Sequence, residues 1–184
     1  MFEKPKTLQE CFERLKRGCE LLITDEYGYT DNYGIFKPPA TEEQIRRFES
    51  RLNFPLPQAY REFLKFSNGA WILGHEIYGL DKFDSSDQYV PDGYLAISRT
   101  EMTSERMAIS EENGELYLFW DLKGDPWDFE HYLLGQLKEC ELEIQSIRKK
   151  QEDAKKDSET LKKEAEAVVS KWRRFHEERM KDKK

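Results

Sequence analysis

The sequence contains few side chains that could act as catalysts. Its three histidines are His75, His131 and His176. His75 precedes Glu76 in a segment with strand composition, where the carboxylate could orient a catalytic imidazole; we favour an ordinary strand histidine. We expect His131 on a helix surface and His176 in a charged tail without a pocket. Because no glycine-rich phosphate loop, nucleophile elbow or paired-carboxylate spacing occurs, we predict no catalytic residues and no enzyme.

The three cysteines could bind a metal only with a fourth ligand, and no two of them have the close pairing of a zinc site. Cys11, Cys19 and Cys140 are far apart in helix-like contexts, so we expect small buried apolar side chains. Their odd number and wide spacing indicate reduced thiols in a cytoplasmic protein. We therefore predict no metal and no cofactor.

An acidic segment between residues 76 and 92 is the other candidate site. Its aspartates suggest a calcium loop at first, but Phe83 and Ser85 stand where an EF-hand needs ligands. Loops on rigid scaffolds commonly bind partners, and aromatic side chains among charges can anchor an interface. We predict that the partner-binding residues are the acidic and aromatic ones of this segment: Glu76, Asp81, Phe83, Asp84, Asp87, Tyr89 and Asp92.

The net charge of −7 is distributed unevenly along the chain. Residues 40–137 carry 9 bases and 18 acids, whereas residues 138–184 carry 15 bases and 12 acids. An acidic folded part repels nucleic acid and steers basic protein partners towards it. No apolar run approaches the roughly 18 residues of a membrane span, and no secretory signal is visible at the N-terminus. We predict a cytoplasmic protein with a protein partner, no nucleic acid and no membrane.

Three helices are predicted in the first 70 residues. A capping-box pattern begins two of them, at Thr7 and Thr41. Pro57 can serve as the first residue of the third helix, because its missing N–H would have been unpaired there. Asn68 and Gly69 tolerate the left-handed conformation that ends this helix.

After Gly69 the composition becomes that of strands. Strands are predicted in the aromatic segment 70–80 and at residues 94–98, 106–110 and 116–122, with a hairpin turn at 112–115. Asp125 is expected to cap a closing helix, with Pro126 as its first helical residue. The result is an α+β fold in which helices flank an antiparallel sheet.

The C-terminal part has a heptad pattern. From Leu133 to Phe175, residues at a spacing of four and three form a seam along one side of a helix, and its middle is weak because Gln151, Ala154 and Ser158 bury little. One structure that fits is a single helix of roughly 50 residues, about 75 Å long; the other has a break near 151–158 and folds back. Because neither Gly nor Pro follows Gly135, we favour the continuous helix. Its apolar residues need a partner, either a second copy through 138–184 or the N-terminal helix.

The sequence T-E-E-Q-I-x-x-F-E-x-x-L, followed by L-P-x-x-Y-x-x-F-L-x-x-S-N-G, an aromatic segment and later strands, resembles the SUKH superfamily. That superfamily includes fungal Smi/Knr-type cell-wall regulators and many bacterial immunity proteins. The resemblance covers about residues 40–137, and neither the heptad tail nor the N-terminal extension is typical of it. The matching positions are Ile45, Phe48, Leu52, Leu56, Pro57, Tyr60, Phe63, Leu64, Asn68 and Gly69.

The resemblance implies protein binding rather than catalysis. Bacterial members commonly neutralise a cognate polymorphic toxin, often a nuclease, and the acidic middle segment suits a basic toxin domain on independent physical grounds. The alternative is a non-enzymatic regulatory or scaffold module of the cell-wall-signalling type, which dimerises or docks partners through its C-terminal helix. The predicted organisation is an N-terminal helix and extended segment (1–39) packing on the core, a SUKH-like core domain (40–137) and a long charged helix (138–184).

Overall fold

A computed structural model describes residues 2–22, 34–52, 54–82, 87–100, 103–120 and 122–181, with residues 172–181 described as helix backbone only. The chain divides into two compact units, Met1–Ile144 and Gln145–Lys184. The boundaries 1–39, 40–137 and 138–184 stay a prediction. Within the described ranges, none of the helices combines the length and the apolar character needed to cross a bilayer.

The described residues form four helices and eight strands. The helices are α1 (Leu8–Leu22), α2 (Glu42–Glu49), α3 (Gln58–Phe66) and α4 (Phe129–Lys181). The strands are β1 (Gly34–Phe36), β2 (Ala70–Ile72), β3 (His75–Ile77), β4 (Tyr94–Ala96), β5 (Ser98–Thr100), β6 (Arg106–Ser110), β7 (Leu116–Trp120) and β8 (Lys123–Pro126). The predicted α+β class, with helices flanking antiparallel strands and a long C-terminal helix, is confirmed.

The strands form two four-stranded sheets where the sequence indicated one. Sheet A has the order β1-β2-β3-β5, sheet B has the order β4-β6-β7-β8, and all neighbours are antiparallel. The predicted strand at 94–98 is where the sheets meet, because β4 and β5 are separated only by Ile97. The Ile97 N–H donates to the Met107 carbonyl, and the Ile97 carbonyl accepts from the Tyr78 N–H, both at 2.8 Å.

Aromatic rings from three helices form the centre of the core in the first unit. Phe12 of α1 lies edge-on to Phe63 of α3, with ring centroids 5.8 Å apart. Phe129 of α4 lies 5.7 Å from Phe63 and 5.1 Å from Tyr60. All four side chains are almost completely buried, and edge-to-face pairs of this kind add to the hydrophobic stabilisation. These ring contacts hold the three helices together.

The helix caps agree with the sequence at Thr41 and differ elsewhere. Both hydrogen bonds of the capping box form between Thr41 and Gln44, at 2.8 and 3.2 Å. At Thr7 only half of the box forms: its hydroxyl accepts from the Glu10 N–H, while the Glu10 carboxylate accepts from the Lys6 N–H. Pro57 is the N-cap residue of α3 rather than its first helical residue.

The predicted start of the closing helix at Asp125 and Pro126 is wrong. Both residues belong to β8, where Pro126 pairs with Tyr117 of β7. β8 lies at the edge of sheet B, where proline is tolerated because no strand on the outer side needs its missing N–H as a hydrogen-bond donor. The helix begins at Phe129, and the Asp128 carboxylate accepts from the Glu130 N–H at 2.9 Å.

The end of the motif at Leu56–Gly69 holds the chain segments that lead into the predicted binding loop. The Asn68 side-chain oxygen accepts from the Leu80 N–H at 2.8 Å. Gly69 has φ +99°, and a Cβ there would lie 2.8 Å from the Gly79 nitrogen. This close approach requires glycine. The motif is therefore architecture that positions residues 79–82.

The second unit consists of the later part of α4. The helix is continuous to Lys181, as predicted, with no break at 151–158. In the single chain the seam residues Leu161 and Val168 are 65% and 68% exposed. That a partner covers these exposed apolar side chains stays a prediction of the heptad pattern.

Candidate functional site

One face of sheet A points to solvent and carries a row of four residues, one from each strand. Pairing places Ile35 beside Trp71, Trp71 beside Glu76, and Glu76 beside Arg99. Side chains alternate along strands, so the intervening residues, such as Ile72, face the core and are buried. Ile35 is 43% exposed, which is high for an isoleucine on a sheet.

Glu76 is the organising charge of this row. Glu76 lies on the outward face, yet its side chain is buried because flanking side chains cover it. One carboxylate oxygen accepts from the Arg99 Nε at 2.7 Å, and the other accepts from the Lys82 Nζ. A buried carboxylate is tolerated only when it is paired and hydrogen-bonded, and these two cations fulfil that requirement.

The two cations also lie over aromatic rings. The Arg99 guanidinium is 5.4 Å from the Trp71 ring centroid, and the Lys82 ammonium is 5.2 Å from that of Tyr78. Both cations keep about two-fifths of their side-chain surface exposed. Held between a carboxylate and a ring, each has fewer conformations to lose on binding. We call Ile35, Trp71, Glu76, Lys82 and Arg99 the sheet A surface.

The loop that follows contains a second buried ion pair. Asp87 accepts from the Arg106 Nε at 2.8 Å, and the two side chains are 10% and 9% exposed. The Arg106 guanidinium lies 4.6 Å from the Tyr89 ring centroid, and Asp87 also accepts from the Tyr89 N–H at 3.0 Å. Asp87 therefore positions Tyr89, whose ring is partly exposed.

The structure places the seven predicted binding residues in three different situations. Glu76 and Asp87 are internal counterions, and Asp81 is exposed beside Lys37, at 3.5 Å. Tyr89 and Asp92 are exposed. Phe83 and Asp84 lie outside the described residues. The predicted set stays a prediction, but its acids are largely matched by bases that sequence reasoning passed over.

One sequence signal could have indicated the pairing of Trp71 with Glu76. In the segment AWILGHEIYGL, a two-residue turn at Leu73-Gly74 pairs Trp71 with Glu76. Both turn residues have positive φ, 50° and 81°, as a type I′ hairpin needs, and only glycine at the second position signals it. Leu73 is an unusual first residue for such a turn, so the register was not evident.

The histidines do not join a catalytic arrangement within the described residues. His75 lies in β3 with its ring 5.9 Å from that of Tyr132, and burial lowers its pKa. Its neighbour Glu76 points to the opposite face and binds Lys82 and Arg99. His131 is exposed, with its ring against Trp127. Among the described residues, no group of three or more His, Cys, Asp or Glu side chains is placed to bind a metal.

The first unit is thus a small α+β domain with preorganised cationic and aromatic side chains on an outward sheet face. The family model of the SMI1 / KNR4 family (SUKH-1) matches residues 39–144, more than half of the chain, and the chain belongs to this family. The family lies within the SUKH superfamily, which includes toxin immunity proteins and whose members bind protein partners. No curated protein matches the chain.

Proposed function

We propose that this chain is a cytoplasmic immunity protein, without enzyme activity, that binds and neutralises a cognate polymorphic toxin of the nuclease type. Membership of the SMI1 / KNR4 family supports a protein-binding role. The acidic first unit supports a basic partner: residues 1–144 carry 16 bases and 28 acids, a net charge of −12. A field of this sign raises the association rate of a basic protein.

We place the contact on the sheet A surface and the adjoining loop. Trp and Arg are the residue types most enriched at interface positions that dominate affinity, and Trp71 and Arg99 occur here as a stacked pair. The predicted residues take different roles in this arrangement. Asp81, Tyr89 and Asp92 contact the partner directly, as do Phe83 and Asp84, whereas Glu76 and Asp87 hold the cations and Tyr89 in place.

The test is binding of the full chain to the C-terminal domain of a polymorphic toxin encoded in a neighbouring reading frame, measured by calorimetry. We expect Trp71→Ala and Arg99→Ala each to weaken binding by about 10-fold or more, because each removes a preorganised anchor. Arg46→Ala is the matched control, since Arg46 makes an exposed ion pair with Glu42 on α2, at 3.0 Å. Wild-type affinity in both variants would exclude this surface. Failure of the wild-type chain to bind or protect would contradict the immunity function.

The second candidate is a scaffold that dimerises through α4, and the exposed seam favours it. In a parallel pair of helices, Asp157 of one copy would face Lys162 of the other across Leu161, which is attractive. Lys150 would face Lys155, which is repulsive, and the small residues between them bury little surface. The pattern therefore supports a second copy of the chain as a weak partner.

A further inference from the structure

A groove of about 650 Å³ opens on the first unit, and none of the residues of the sheet A surface lines it. The N-terminal ends of α1, α3 and α4 all reach it, together with the β6–β7 turn and the end of β8. Its floor is apolar, because Leu116 and Phe129 are buried there. Pro57 and Pro126 form part of its walls.

The Trp127 side chain lies between this groove and a second hollow. The residue is 40% exposed, and its backbone N–H donates to the Leu116 carbonyl at 2.9 Å. On its other side the second hollow of about 380 Å³ is lined by Pro126, Trp127, Asp128 and His131. The His131 ring lies edge-on to the indole, 5.7 Å between centroids. A tryptophan fixed by its neighbours but reachable from both sides is a suitable interface anchor.

The rim of the groove carries one sign of charge. Glu115, Asp128 and Glu130 line it and are exposed, and none of the lining residues that the structure describes is basic. Acidic side chains therefore lie next to apolar walls here, whereas on the sheet A surface Glu76 is paired with Lys82 and Arg99.

The N-terminal end of α3 borders the groove at Gln58 and Ala59, and Pro57 caps it without a side-chain hydrogen bond. Pro126 has no N–H, so an incoming chain cannot pair fully with β8 as an added strand.

We propose that this groove binds an extended basic segment of a protein partner, with an apolar side chain against Trp127 and flanking Lys or Arg side chains on Glu115 and Glu130. Charge complementarity and the apolar walls select this occupant over an acidic or fully polar one. The inference is independent of the toxin and of the sheet A surface.

The probe is a short fluorescent peptide of alternating lysine and leucine with one central tryptophan, titrated into the full chain. We expect its binding to shift the NMR signals of the Trp127 indole and the Gly114 amide, and to weaken as salt is added. A peptide with glutamate in place of every lysine should not bind. Trp127→Ala should reduce the affinity by about 10-fold.

The double variant Glu115→Gln, Glu130→Gln leaves the Trp127 wall in place and should also weaken binding and flatten its salt dependence. Glu112→Gln, an exposed position on the same turn, is the matched control and should bind as the wild type does. Absence of binding, equal binding of the acidic peptide, or signal changes confined to sheet A would each overturn the proposal.

Discussion

Glu76 shows why the role of a single acid cannot be predicted from local sequence. Its position in an acidic segment predicts a carboxylate that contacts a partner. In the folded chain Glu76 is 5% exposed, since Lys82 and Arg99 approach it from the loop and from a distant strand. The sequence separation of 23 residues between Glu76 and Arg99 carries no local signal, so only the strand register reveals the pair.

Two buried tyrosines test the energetics of polar groups in this core. The Tyr60 hydroxyl donates to the Tyr78 carbonyl at 2.7 Å. The buried Tyr132 hydroxyl has no protein acceptor within the described residues. Removing the Tyr60 hydroxyl would leave the Tyr78 carbonyl without this donor, whereas removing the Tyr132 hydroxyl would leave no protein group without its partner. We expect Tyr60→Phe to reduce the free energy of unfolding by about 1–3 kcal/mol, and Tyr132→Phe to leave it unchanged within about 0.5 kcal/mol or to raise it.

Urea unfolding followed by circular dichroism measures both variants under the same conditions. Each keeps its ring, so the contact of Tyr60 with Phe129 and that of Tyr132 with His75 are retained. Equal destabilisation by the two substitutions would show that the Tyr132 hydroxyl is as well paired as the Tyr60 hydroxyl.

Helices α1 and α4 pack closely where Gly18 meets Cys140. A Cβ at Gly18 would lie 2.5 Å from the Cys140 sulfur and 3.5 Å from Ile144. The Cys19 and Cys140 side chains are both fully buried, and the neighbouring thiol together with burial raises the pKa of Cys19. We expect Gly18→Ala to lower the free energy of unfolding by about 1–3 kcal/mol through overpacking.

Gly135→Ala is the matched helix substitution. Gly135 lies in α4 and is exposed, and apart from its chain neighbours and the adjacent backbone of its own helix, no atom of the described residues lies within 4 Å of the position that an alanine methyl group would take. Alanine should therefore stabilise the protein by about 0.5–1 kcal/mol through helix propensity. Thermal unfolding of the two variants gives the comparison. Stabilisation by Gly18→Ala would mean that the two helices can separate at no cost.

The helices were more predictable than the strands, for a physical reason. The capping box at Thr41, the left-handed end at Gly69 and the continuity of α4 depend on residues within a few positions of one another. β8 depends on β7 as a partner, and its sequence Lys-Gly-Asp-Pro has no strand propensity. The same four residues locally resemble a helix start, which explains the wrong prediction.

The candidate site was likewise predictable only where its residues carry a local signal. Tyr89 and Asp92 were identified from composition, and their exposure agrees with a surface role. Trp71 and Arg99 were missed because they become neighbours only through sheet pairing. The groove beside Trp127 was missed because three helix ends from distant parts of the sequence form it.

At the scale of the whole molecule, the two units carry opposite charge. Residues 145–184 carry 14 bases and 9 acids, a net charge of +5, against −12 for residues 1–144. In a parallel pair, Lys150 and Lys155 would repel each other across the α4 seam, whereas Asp157 and Lys162 would attract each other. Because each copy also carries a net charge of +5 in this unit, any homodimer should be weak and stabilised by salt.

Sedimentation of the full chain over a wide concentration range tests this. We expect the mean mass to rise with concentration towards that of a dimer. Leu161→Lys should abolish the rise, because it places a charge on the seam, whereas Thr160→Lys, one position away on the outer face, should not. A wild-type chain that stays monomeric throughout, or a Leu161→Lys variant that still associates, would remove the seam as the dimer contact.

The two backbone hydrogen bonds of Ile97 determine how the first unit can unfold locally. Its N–H is committed to one sheet and its carbonyl to the other, so neither ladder can separate from this residue without disturbing the second. Amide protons on β3 and on β6 should therefore exchange with deuterium at a common slow rate, set by one shared unfolding event. Fraying would be confined to the outer strands β1 and β8, and the face that carries Trp71 and Arg99 would keep its shape as long as the unit stays folded.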